Sequence, residues 1–402
     1  MSNTGLNINI SDGDRTLVHI DNFSFSTNKI TFLFGESGIG KSMISKAVYG
    51  LLDPDELQIK INNKAYQSYL NLPVTRQIKQ NGFFVFQEPS SHLNPLLKIE
   101  DQLNEGAIDE NLDEKSILQY LWDTSDDTAI KKIVDIYPRP YRPSGGEKQR
   151  ILLAMAFKKI NFALQNSDSS SSNLFVFDEP TGSLDNHFRN LFLQLLFDKF
   201  NQKSFTSLFI THDYSIISWI MQHHKNMMDH IDFKELSRID STKVKLEYFA
   251  PDQYLNWLNN IKKATVQSAE TGTSKSEVLT INKHFHIYDR AYTIYSDPEF
   301  KQPSDLHINK GEMVYLKAGS GVGKTTLAKI IMGLQLADQF EFEISGLNLS
   351  DQTKLKLWKK FIWGKKIGMV FQHADEALNL EANVKESLDG LKSKKLRGDF
   401  LR

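Results

Sequence analysis

The sequence predicts an α/β fold, because a strand, a glycine-rich loop and a helix follow one another at two places along the chain. At the first place, an apolar run at 30–34 precedes Gly-Glu-Ser-Gly-Ile-Gly-Lys-Ser at 35–42, and a helical pattern follows. At the second, an apolar run at 313–316 precedes Ala-Gly-Ser-Gly-Val-Gly-Lys-Thr at 318–325, again with a helical pattern behind it. We therefore expect two related domains, each with a strand that leads into a phosphate-binding loop.

A second pair of similar segments lies behind the two loops. Phe-Phe-Val-Phe-Gln at 83–87 is echoed by Gly-Met-Val-Phe-Gln at 368–372, and Gln87 and Gln372 follow the lysines of their loops by 46 and 48 positions. Matching spacing predicts a tandem duplication. We place a first domain at 1–230, a connecting extension with a flexible linker at 231–276, and the N-terminal part of a truncated second domain at 277–402.

The composition excludes several classes of function. The chain has 402 residues, enough for two or three domains, and 48 Lys+Arg against 49 Asp+Glu leave no overall positive field that would draw it to nucleic acid. Apolar runs fall far short of the ~18 residues of a membrane span, and the first residues lack a secretory signal pattern. Cysteine is absent, which excludes disulfides, thiolate metal sites and cysteine nucleophiles. We expect a cytoplasmic protein.

The two glycine-rich loops have the residues that hold a nucleotide. Glycines let backbone N–H groups converge on phosphate oxygens, a lysine neutralises β/γ-phosphate charge, and a hydroxyl ligates magnesium. In the second loop Ala318 replaces the first glycine, while the lysine and hydroxyl positions are kept. The candidate nucleotide-binding residues of both loops are Gly35, Ser37, Gly38, Gly40, Lys41, Ser42, Gly319, Gly321, Gly323, Lys324 and Thr325.

Two further segments of the first copy carry suitable chemistry. The apolar run at 173–177 leads into Asp178, which can hold a magnesium shell, and Glu179, which can accept a proton from an attacking water. Ser-Gly-Gly-Glu stands at the start of a predicted helix, where free N–H groups and the helix dipole attract anions. Each segment alone is typical of an ordinary turn or cap. The candidate residues of the second segment are Ser144, Gly145, Gly146 and Glu147.

In their order along the chain, these motifs resemble those of the ATP-binding-cassette (ABC) ATPases. The matching motifs are the phosphate loop, Gln87, Ser-Gly-Gly-Glu at 144–147, Asp178-Glu179, Ser-Leu-Asp at 183–185 and Ile-Thr-His-Asp at 210–213. One segment is similar to the matching segment of a subfamily of importers, those for oligopeptides, dipeptides and nickel or related metal complexes. It is Phe-Gln-Glu-Pro-Ser-Ser-His-Leu-Asn-Pro at 86–95. The resemblance implies a P-loop NTPase cassette with a mixed sheet and a helical subdomain, followed by an incomplete second cassette.

The resemblance also implies roles for single residues in magnesium-dependent ATP hydrolysis. Glu179 would be the general base, His212 would contact the γ-phosphate, and Gln87 would touch magnesium and the attacking water. Asp185 would organise the opposing site of a cassette pair, and Gln372 is the counterpart of Gln87 in the second copy. The implied magnesium ligands are Ser42, Gln87, Asp178 and Thr325.

The partners that the resemblance implies are those of an importer. Two cassettes sandwich ATP head to tail, so a second ATPase chain, identical or different, is expected. The cassettes would bind membrane-spanning permease subunits at the cytoplasmic face of the cell membrane as peripheral proteins, and an extracytoplasmic solute-binding protein would act indirectly. The cargo would be peptides or small metal chelates, and no nucleic acid is involved.

The second copy departs most from the family pattern. It has no Ser-Gly-Gly segment, no carboxylate-bearing strand and no switch histidine. Since the carboxylate strand is central in the buried parallel sheet, we expect its absence to leave apolar surface exposed. Two alternatives follow: a truncated ABC protein that binds nucleotide without productive turnover, or a soluble ABC ATPase that acts on ribosomes or DNA. The neutral charge argues against the second alternative.

Overall fold

The chain divides into two compact units, Met1–Gln267 and Ser268–Arg402. This division falls inside the segment 231–276 that the sequence predicts as a connection, and the predicted domain boundaries stay predictions. The computed structural model describes residues 5–104, 114–136, 143–166, 173–182, 184–268, 276–287, 290–295, 302–316, 323–335, 337, 340–371 and 383.

The first unit is built on a ten-stranded mixed sheet. Its strands are β1 (Leu6–Asp12), β2 (Arg15–Phe23), β3 (Ile30–Gly35), β4 (Gln58–Ile61), β5 (Lys64–Ala65), β6 (Phe83–Val85), β7 (Phe175–Asp178), β8 (Ser207–Ile210), β9 (Ile231–Arg238) and β10 (Lys243–Tyr248). They lie in the order β5-β4-β1-β2-β10-β9-β3-β8-β7-β6. The half from β5 to β2 is antiparallel, whereas β9, β3, β8, β7 and β6 run parallel.

Helices cover the sheet and form the predicted helical subdomain. They are α1 (Lys41–Tyr49), α2 (Tyr66–Leu70), α3 (Pro73–Asn81), α4 (Ile99–Asn104), α5 (Glu114–Leu121), α6 (Asp127–Lys131) with a π-helical turn at Lys132–Ile136, α7 (Gly145–Asn166), α8 (Asn186–Gln202), α9 (Ser215–His223) and α10 (Pro251–Ser268). Short 3₁₀ turns lie at Pro89–Ser91 and Lys225–His230. In the subdomain, α4 and α5 pack against α7. No helix in the described part of the chain is long and apolar enough to cross a membrane.

Four of the parallel strands, β3, β6, β7 and β8, lie between two core clusters, which explains why they are mostly apolar rather than apolar at alternate positions. Phe32 and Phe34 of β3 lie in one core cluster with residues of α7 and α8. Leu33, between them, lies in the opposite cluster with residues of α1. Phe32 packs on Phe209 of β8 with ring centroids 4.9 Å apart. This double coverage fixes the register of the strands that lead into the functional loops.

The connection to the second unit differs from the sequence prediction. Residues 262–276 are predicted as a flexible linker without periodicity, but α10 continues to Ser268. Residues 231–248, predicted as part of the extension, form β9 and β10 within the first sheet. Sequence reasoning missed these two strands, which form an antiparallel hairpin with each other and join the sheet by parallel pairing with β3 and β2. The linker residues 269–275 and the serine-rich run 167–172 lie outside the described residues.

The second unit has a four-stranded antiparallel sheet and a separate hairpin. Its elements are β11 (Glu277–Ile281), β12 (His284–Ile287), β13 (Arg290–Thr293), β14 (Leu306–Asn309), α11 (Lys324–Ile331), β15 (Phe342–Ile344), β16 (Leu347–Leu349) and α12 (Leu355–Leu357), which runs into a π-helical turn at Trp358–Ile362. The sheet order β14-β11-β15-β16 repeats the order β2-β1-β4-β5 of the first unit. Each pairing is antiparallel in both sheets, so the predicted duplication is visible in the fold.

The strand predicted at 313–316 is absent from the structure, and that prediction is wrong. The backbone there is irregular and its side chains are exposed, with Met313 at 96%. Val370, in the repeat of β6, is 97% exposed. Neighbouring strands on both sides hold a central parallel strand through hydrogen bonds. Among the described residues of the second unit, no strand pairs with 313–316 or with the segment that contains Val370. The expected exposure of apolar surface is therefore confirmed.

Gly82 offers a test of packing at the entry to β6. A Cβ atom there would lie 2.2 Å from the carbonyl oxygen of Leu174 and 2.7 Å from that of Ile78. Backbone must move to admit a methyl group, so we expect Gly82→Ala to lower the free energy of unfolding of the first unit by about 3 kcal/mol. Thermal and urea unfolding would measure it. Gly368→Ala, where a Cβ meets nothing within 4 Å, is the control, and an equal loss in that variant would contradict the steric argument.

Candidate nucleotide-hydrolysis site

The first glycine-rich loop connects β3 to α1 as predicted. Gly40 caps α1 with a left-handed backbone, φ 102°, and a Cβ atom there would lie 2.9 Å from a methyl carbon of Val18. Glycine is therefore required both by conformation and by space. The Nζ atom of Lys41 donates to the carbonyl oxygens of Gly35 at 2.7 Å and Glu36 at 2.8 Å. The ammonium group thus lies inside the loop, where a phosphate would meet it.

Burial and neighbouring carboxylates act on Lys41 in opposite directions. The side chain is buried, and burial lowers the pKa of the ammonium group, while the negative charges of Glu179 and Asp178 raise it. Because an anion in the loop would add a further opposite charge, phosphate binding and the positive charge of Lys41 support each other.

Ser42 and Asp178 form the second part of the site. The hydroxyl of Ser42 donates to Oδ1 of Asp178 at 2.8 Å, so the second residue of α1 is tied to the last residue of β7. Burial is the largest influence on Asp178 and raises the pKa of its carboxyl group, against the hydrogen bond from Ser42 and the charge of Lys46. The Ser42 hydroxyl and the buried Asp178 carboxylate place oxygen atoms side by side. Because magnesium prefers oxygen ligands, this pair suits a magnesium ion.

Glu179 is the residue on which the predicted catalytic side chains converge. Its Oε2 atom accepts a hydrogen bond from Nε2 of Gln87 at 3.1 Å, and its Oε1 atom lies 3.1 Å from Nδ1 of His212. The backbone of Glu179 has a φ of 46°, which is uncommon for a residue with a side chain, and its N–H donates to the carbonyl of Ile210 at 3.0 Å. Such strain concentrates at functional sites.

The strand order explains why these residues meet. β6, β7 and β8 are neighbours in the parallel part of the sheet, so their carboxyl ends lie along one edge. Gln87 follows the end of β6 by two residues, Glu179 follows β7 directly, and His212 follows β8 by two residues. The structure therefore brings together three candidates that lie up to 125 positions apart in the sequence.

Ser-Gly-Gly-Glu begins α7, a helix of 22 residues, as the sequence predicts. The Ser144 hydroxyl and N–H both donate to Oε2 of Glu147, at 2.8 and 2.9 Å, and the N–H of Glu147 points back at Oγ of Ser144 at 3.3 Å. This reciprocal cap holds the first turn of the helix, while Ser144 and Gly145 are exposed. Glu147 thus shapes the predicted anion site from within the helix.

Asp185 caps the next helix. Its carboxylate accepts a hydrogen bond from the N–H of Phe188 at 3.0 Å at the start of α8. The role at an opposing site that the resemblance implies for Asp185 stays a prediction.

Two contacts at this site have no signal in the sequence. The guanidinium of Arg238, on β9, donates to the carbonyl oxygen of Gly38 at 3.2 Å, and Nζ of Lys148, on α7, donates to the hydroxyl of Ser90 at 3.1 Å. Both join segments that are far apart in the chain. Arg238 supports the phosphate loop, and Lys148 links the Ser-Gly-Gly helix to the segment behind Gln87.

In the second unit the structure describes part of the predicted site. Gly323 caps α11 with φ 106°, close to the value of Gly40, and Lys324 and Thr325 begin the helix as Lys41 and Ser42 begin α1. Gly319, Gly321 and Gln372 lie outside the described residues.

The chain matches a known protein family in two segments. Residues 18–182 and 302–399 match the family described as ABC transporter. Together they make up more than half of the chain, and the chain belongs to this family. The fold predicted from the sequence, an ABC-type cassette followed by part of a second one, is confirmed.

Several curated proteins are similar to this chain over part of their length. The oligopeptide transport ATP-binding protein AppD of Bacillus subtilis is 29% identical over 49% of this chain and 58% of its own length. The peptidoglycan transport ATP-binding protein YejF of Agrobacterium fabrum is 30% identical over 53% of this chain and 38% of its own. The uncharacterized ABC transporter ATP-binding protein MJ1662 of Methanocaldococcus jannaschii is 23% identical, over 88% and 58%. The chain thus spans about half the length of the curated relatives it matches.

A solved structure titled as that of an ATP binding subunit of an ABC transporter aligns with 65% of this chain and 98% of its own, at 18% identity and a TM-score of 0.41.

The buried carboxyl group of Asp178 predicts a pH-dependent stability. A carboxyl group whose pKa is raised on folding destabilises the protein at pH values above that pKa, and this cost disappears as the pH falls and the group becomes protonated in both states. We expect Asp178→Asn to raise the unfolding temperature at pH 7 in buffer without magnesium or nucleotide, and the gain to shrink towards pH 3.

Differential scanning calorimetry at both pH values would measure this difference. Asp14→Asn, at an exposed turn between β1 and β2, is the control for the charge change. An Asp178→Asn variant less stable than the parent at pH 7 would contradict the burial argument.

Proposed function

We propose that the chain is the ATP-binding and ATP-hydrolysing subunit of an ABC importer, with peptides or small metal chelates as cargo. The observation that carries the proposal is the convergence of Gln87 and His212 on Glu179, beside the phosphate loop and the Ser42–Asp178 pair. Relatives named for oligopeptide and peptidoglycan transport, and for Fe(3+) ions import in Haemophilus influenzae, support a transport role.

In the proposed reaction a water attacks the γ-phosphate of ATP, the bond to the ADP oxygen breaks, and Glu179 accepts the proton of the water. Gln87 and His212 each hold one oxygen of the Glu179 carboxylate, which fixes its orientation towards the loop. Lys41 exchanges the two backbone carbonyls that it contacts for phosphate oxygens. Ser42 and Asp178, with Gln87, would hold magnesium, which neutralises phosphate charge when bound.

A second ATPase chain belongs to the proposal. The exposed Ser144 and Gly145 begin a long helix whose free N–H groups suit the γ-phosphate of ATP bound to another chain. The partner chain would in turn present its own helix to the Lys41 site. Glu147, which holds Ser144 through two hydrogen bonds, would position the hydroxyl in this contact.

An apolar groove on the first unit is the proposed contact with a membrane-spanning permease. It has a volume of about 290 Å³, and its lining combines the side chains of Tyr49, Leu51, Phe83, Phe86, Met155 and Phe162 with Lys79, Lys158 and Lys159. Phe86 directly precedes Gln87, whose amide contacts Glu179. A permease segment in the groove would therefore touch the residue next to the catalytic network, which couples transport to hydrolysis. In this arrangement the chain is a peripheral protein at the cytoplasmic face of the membrane.

The general base is tested by Glu179→Gln. Glutamine keeps the shape of the side chain but cannot take the proton, so we expect turnover to fall by roughly 10²- to 10⁴-fold while ATP stays bound. Steady-state phosphate release and retention of labelled ATP would measure both effects. Glu247→Gln, an exposed carboxylate on β10, is the matched control.

Turnover at the parental rate in Glu179→Gln would rule out this residue as base. A parent protein that retains ATP without releasing phosphate, alone and with its partners, would instead favour the alternative of nucleotide binding without turnover.

The permease contact is tested by Leu51→Asp. A carboxylate in the apolar groove would have to be desolvated by the docked segment, so we expect recovery of the permease with the chain to fall at least about 10-fold. Leu72→Asp is the control, since Leu72 is 44% exposed against 38% for Leu51 and does not line the groove. Quantitative co-purification from detergent-solubilised membranes would measure recovery, and equal recovery in the two variants would contradict the assignment of the groove.

A further inference from the structure

Arg189 is a buried cation close to the candidate site that the proposed reaction does not use. It lies in the first turn of α8, and 8% of its side chain is exposed. Its Nη1 atom donates to Oδ2 of Asp213 at 2.8 Å and to the hydroxyl of Ser215 at 2.7 Å. Its Nε and Nη2 atoms both donate to the side-chain oxygen of Asn190. These hydrogen bonds compensate the burial of the guanidinium charge.

Asp213, the carboxylate that accepts from Arg189, directly follows His212. Its Oδ1 atom accepts hydrogen bonds from the N–H of Ser215 at 3.0 Å and from the hydroxyl of Ser215 at 2.6 Å. The N–H of Asp213 donates to Oγ1 of Thr211 at 2.9 Å. Burial by itself raises the pKa of the Asp213 carboxyl group, but the hydrogen bonds from Ser215 and Arg189 outweigh burial, and the pKa is lowered. The ionised carboxylate therefore binds α8 and the start of α9 to one turn.

The turn at 211–215 holds the backbone of His212 on both sides. Before His212, the N–H of Thr211 donates to a carbonyl oxygen of β3 at 3.1 Å. After His212, the contact with Arg189 attaches the turn to α8. The His212 side chain is itself 60% exposed, and its Nδ1 atom lies 3.1 Å from Oε1 of Glu179. Because neighbouring groups cover little of this ring, the backbone of the turn sets the direction in which it points.

Arg189 also belongs to the helical turn that Asp185 caps. The N–H of Arg189 donates to the carbonyl oxygen of Asp185 at 2.9 Å, and the carboxylate of Asp185 accepts from the N–H of Phe188. One side chain therefore connects the start of α8 with the turn that carries His212. The position of this helix start thus fixes the position of the histidine.

We propose that Arg189 is a positioning residue for ATP hydrolysis, which keeps His212 at Glu179 through its buried contact with Asp213. The inference rests on the proposed function, because it assigns a role in that same reaction. Within the described residues, none of the hydrogen bonds of Arg189 reaches the phosphate loop. Loss of Arg189 therefore lowers the rate of hydrolysis and leaves the binding of ATP at Lys41 unchanged.

The variant Arg189→Met of the full chain tests this role. Methionine keeps the apolar part of the side chain but has no donor, so we expect kcat to fall at least about 10-fold with an unchanged Kd for ATP. Steady-state phosphate release and equilibrium binding of labelled ATP would measure the two quantities. Arg76→Met is the matched control with parental kcat, since Arg76 is an exposed arginine that donates to Asn71 at 3.0 Å.

Two further variants separate positioning from a loss of folding. In Arg189→Met together with Asp213→Asn, no buried carboxylate is left without its cation, and we expect the same fall in kcat as in Arg189→Met. In a His212→Gln background, Arg189→Met should change kcat less than about 2-fold, because the residue through which Arg189 acts is already removed. A loss of folding would instead lower kcat by the same factor in both backgrounds.

Amide hydrogen exchange tests the contact without ATP. The amides of Asp213 and Ser215 donate hydrogen bonds within the turn, so we expect their exchange to become at least about 10-fold faster in Arg189→Met. Exchange at the amide of Ile44, which donates to Gly40 in α1, should stay at the parental rate.

Three results would overturn the inference in a parent protein that hydrolyses ATP. They are parental kcat in Arg189→Met, equal fold losses of kcat in the parental and His212→Gln backgrounds, and parental exchange at the amides of Asp213 and Ser215. In each case the proposed function stands. A parent protein that does not hydrolyse ATP contradicts the proposed function instead, and exchange then decides whether Arg189 holds the turn.

Discussion

The parallel pairing of β3, β8, β7 and β6 is the constraint on which the rest of the first unit depends. Each of these strands is buried on both faces, so the cores on both sides fix its register. The carboxyl ends of the four strands then lie along one edge of the sheet, so the residues that follow them are close to one another. This single arrangement brings together the phosphate loop, Asp178, Glu179 and His212.

The site places charged side chains where burial separates them from water. Burial opposes the charge of Lys41 and of Asp178, and each is partly compensated by the other and by hydrogen bonds. Glu179 adds another carboxylate, which Gln87 and His212 hold in place. Its backbone has the left-handed conformation that is uncommon for a residue with a side chain. Such a cluster is costly for stability and suits a site that binds a polyanion with a cation, because both ligands supply the missing opposite charges.

The second unit shows what the parallel strands contribute, because there they are not assembled in the described residues. Its antiparallel half folds with the same strand order as in the first unit, around a cluster of its own that includes Phe340 and Trp358. The glycine cap of α11 also forms, with nearly the φ of its counterpart. The strand pairing and the core of these parts lie within the second unit. The strand at 313–316 is not formed, since its hydrogen bonds and its buried faces must come from neighbours.

The sequence by itself determined the loops, their helices, the start of α7 and the duplication, because each depends on residues close together in the chain. Gly40 specifies the start of α1 through its left-handed backbone, and Ser144 specifies the start of α7 through its hydrogen bonds with Glu147. Tertiary structure decided the convergence on Glu179, the return of β9 and β10 to the first sheet and the contact of Arg238 with the loop. These depend on pairing between strands far apart in sequence, which no local pattern encodes.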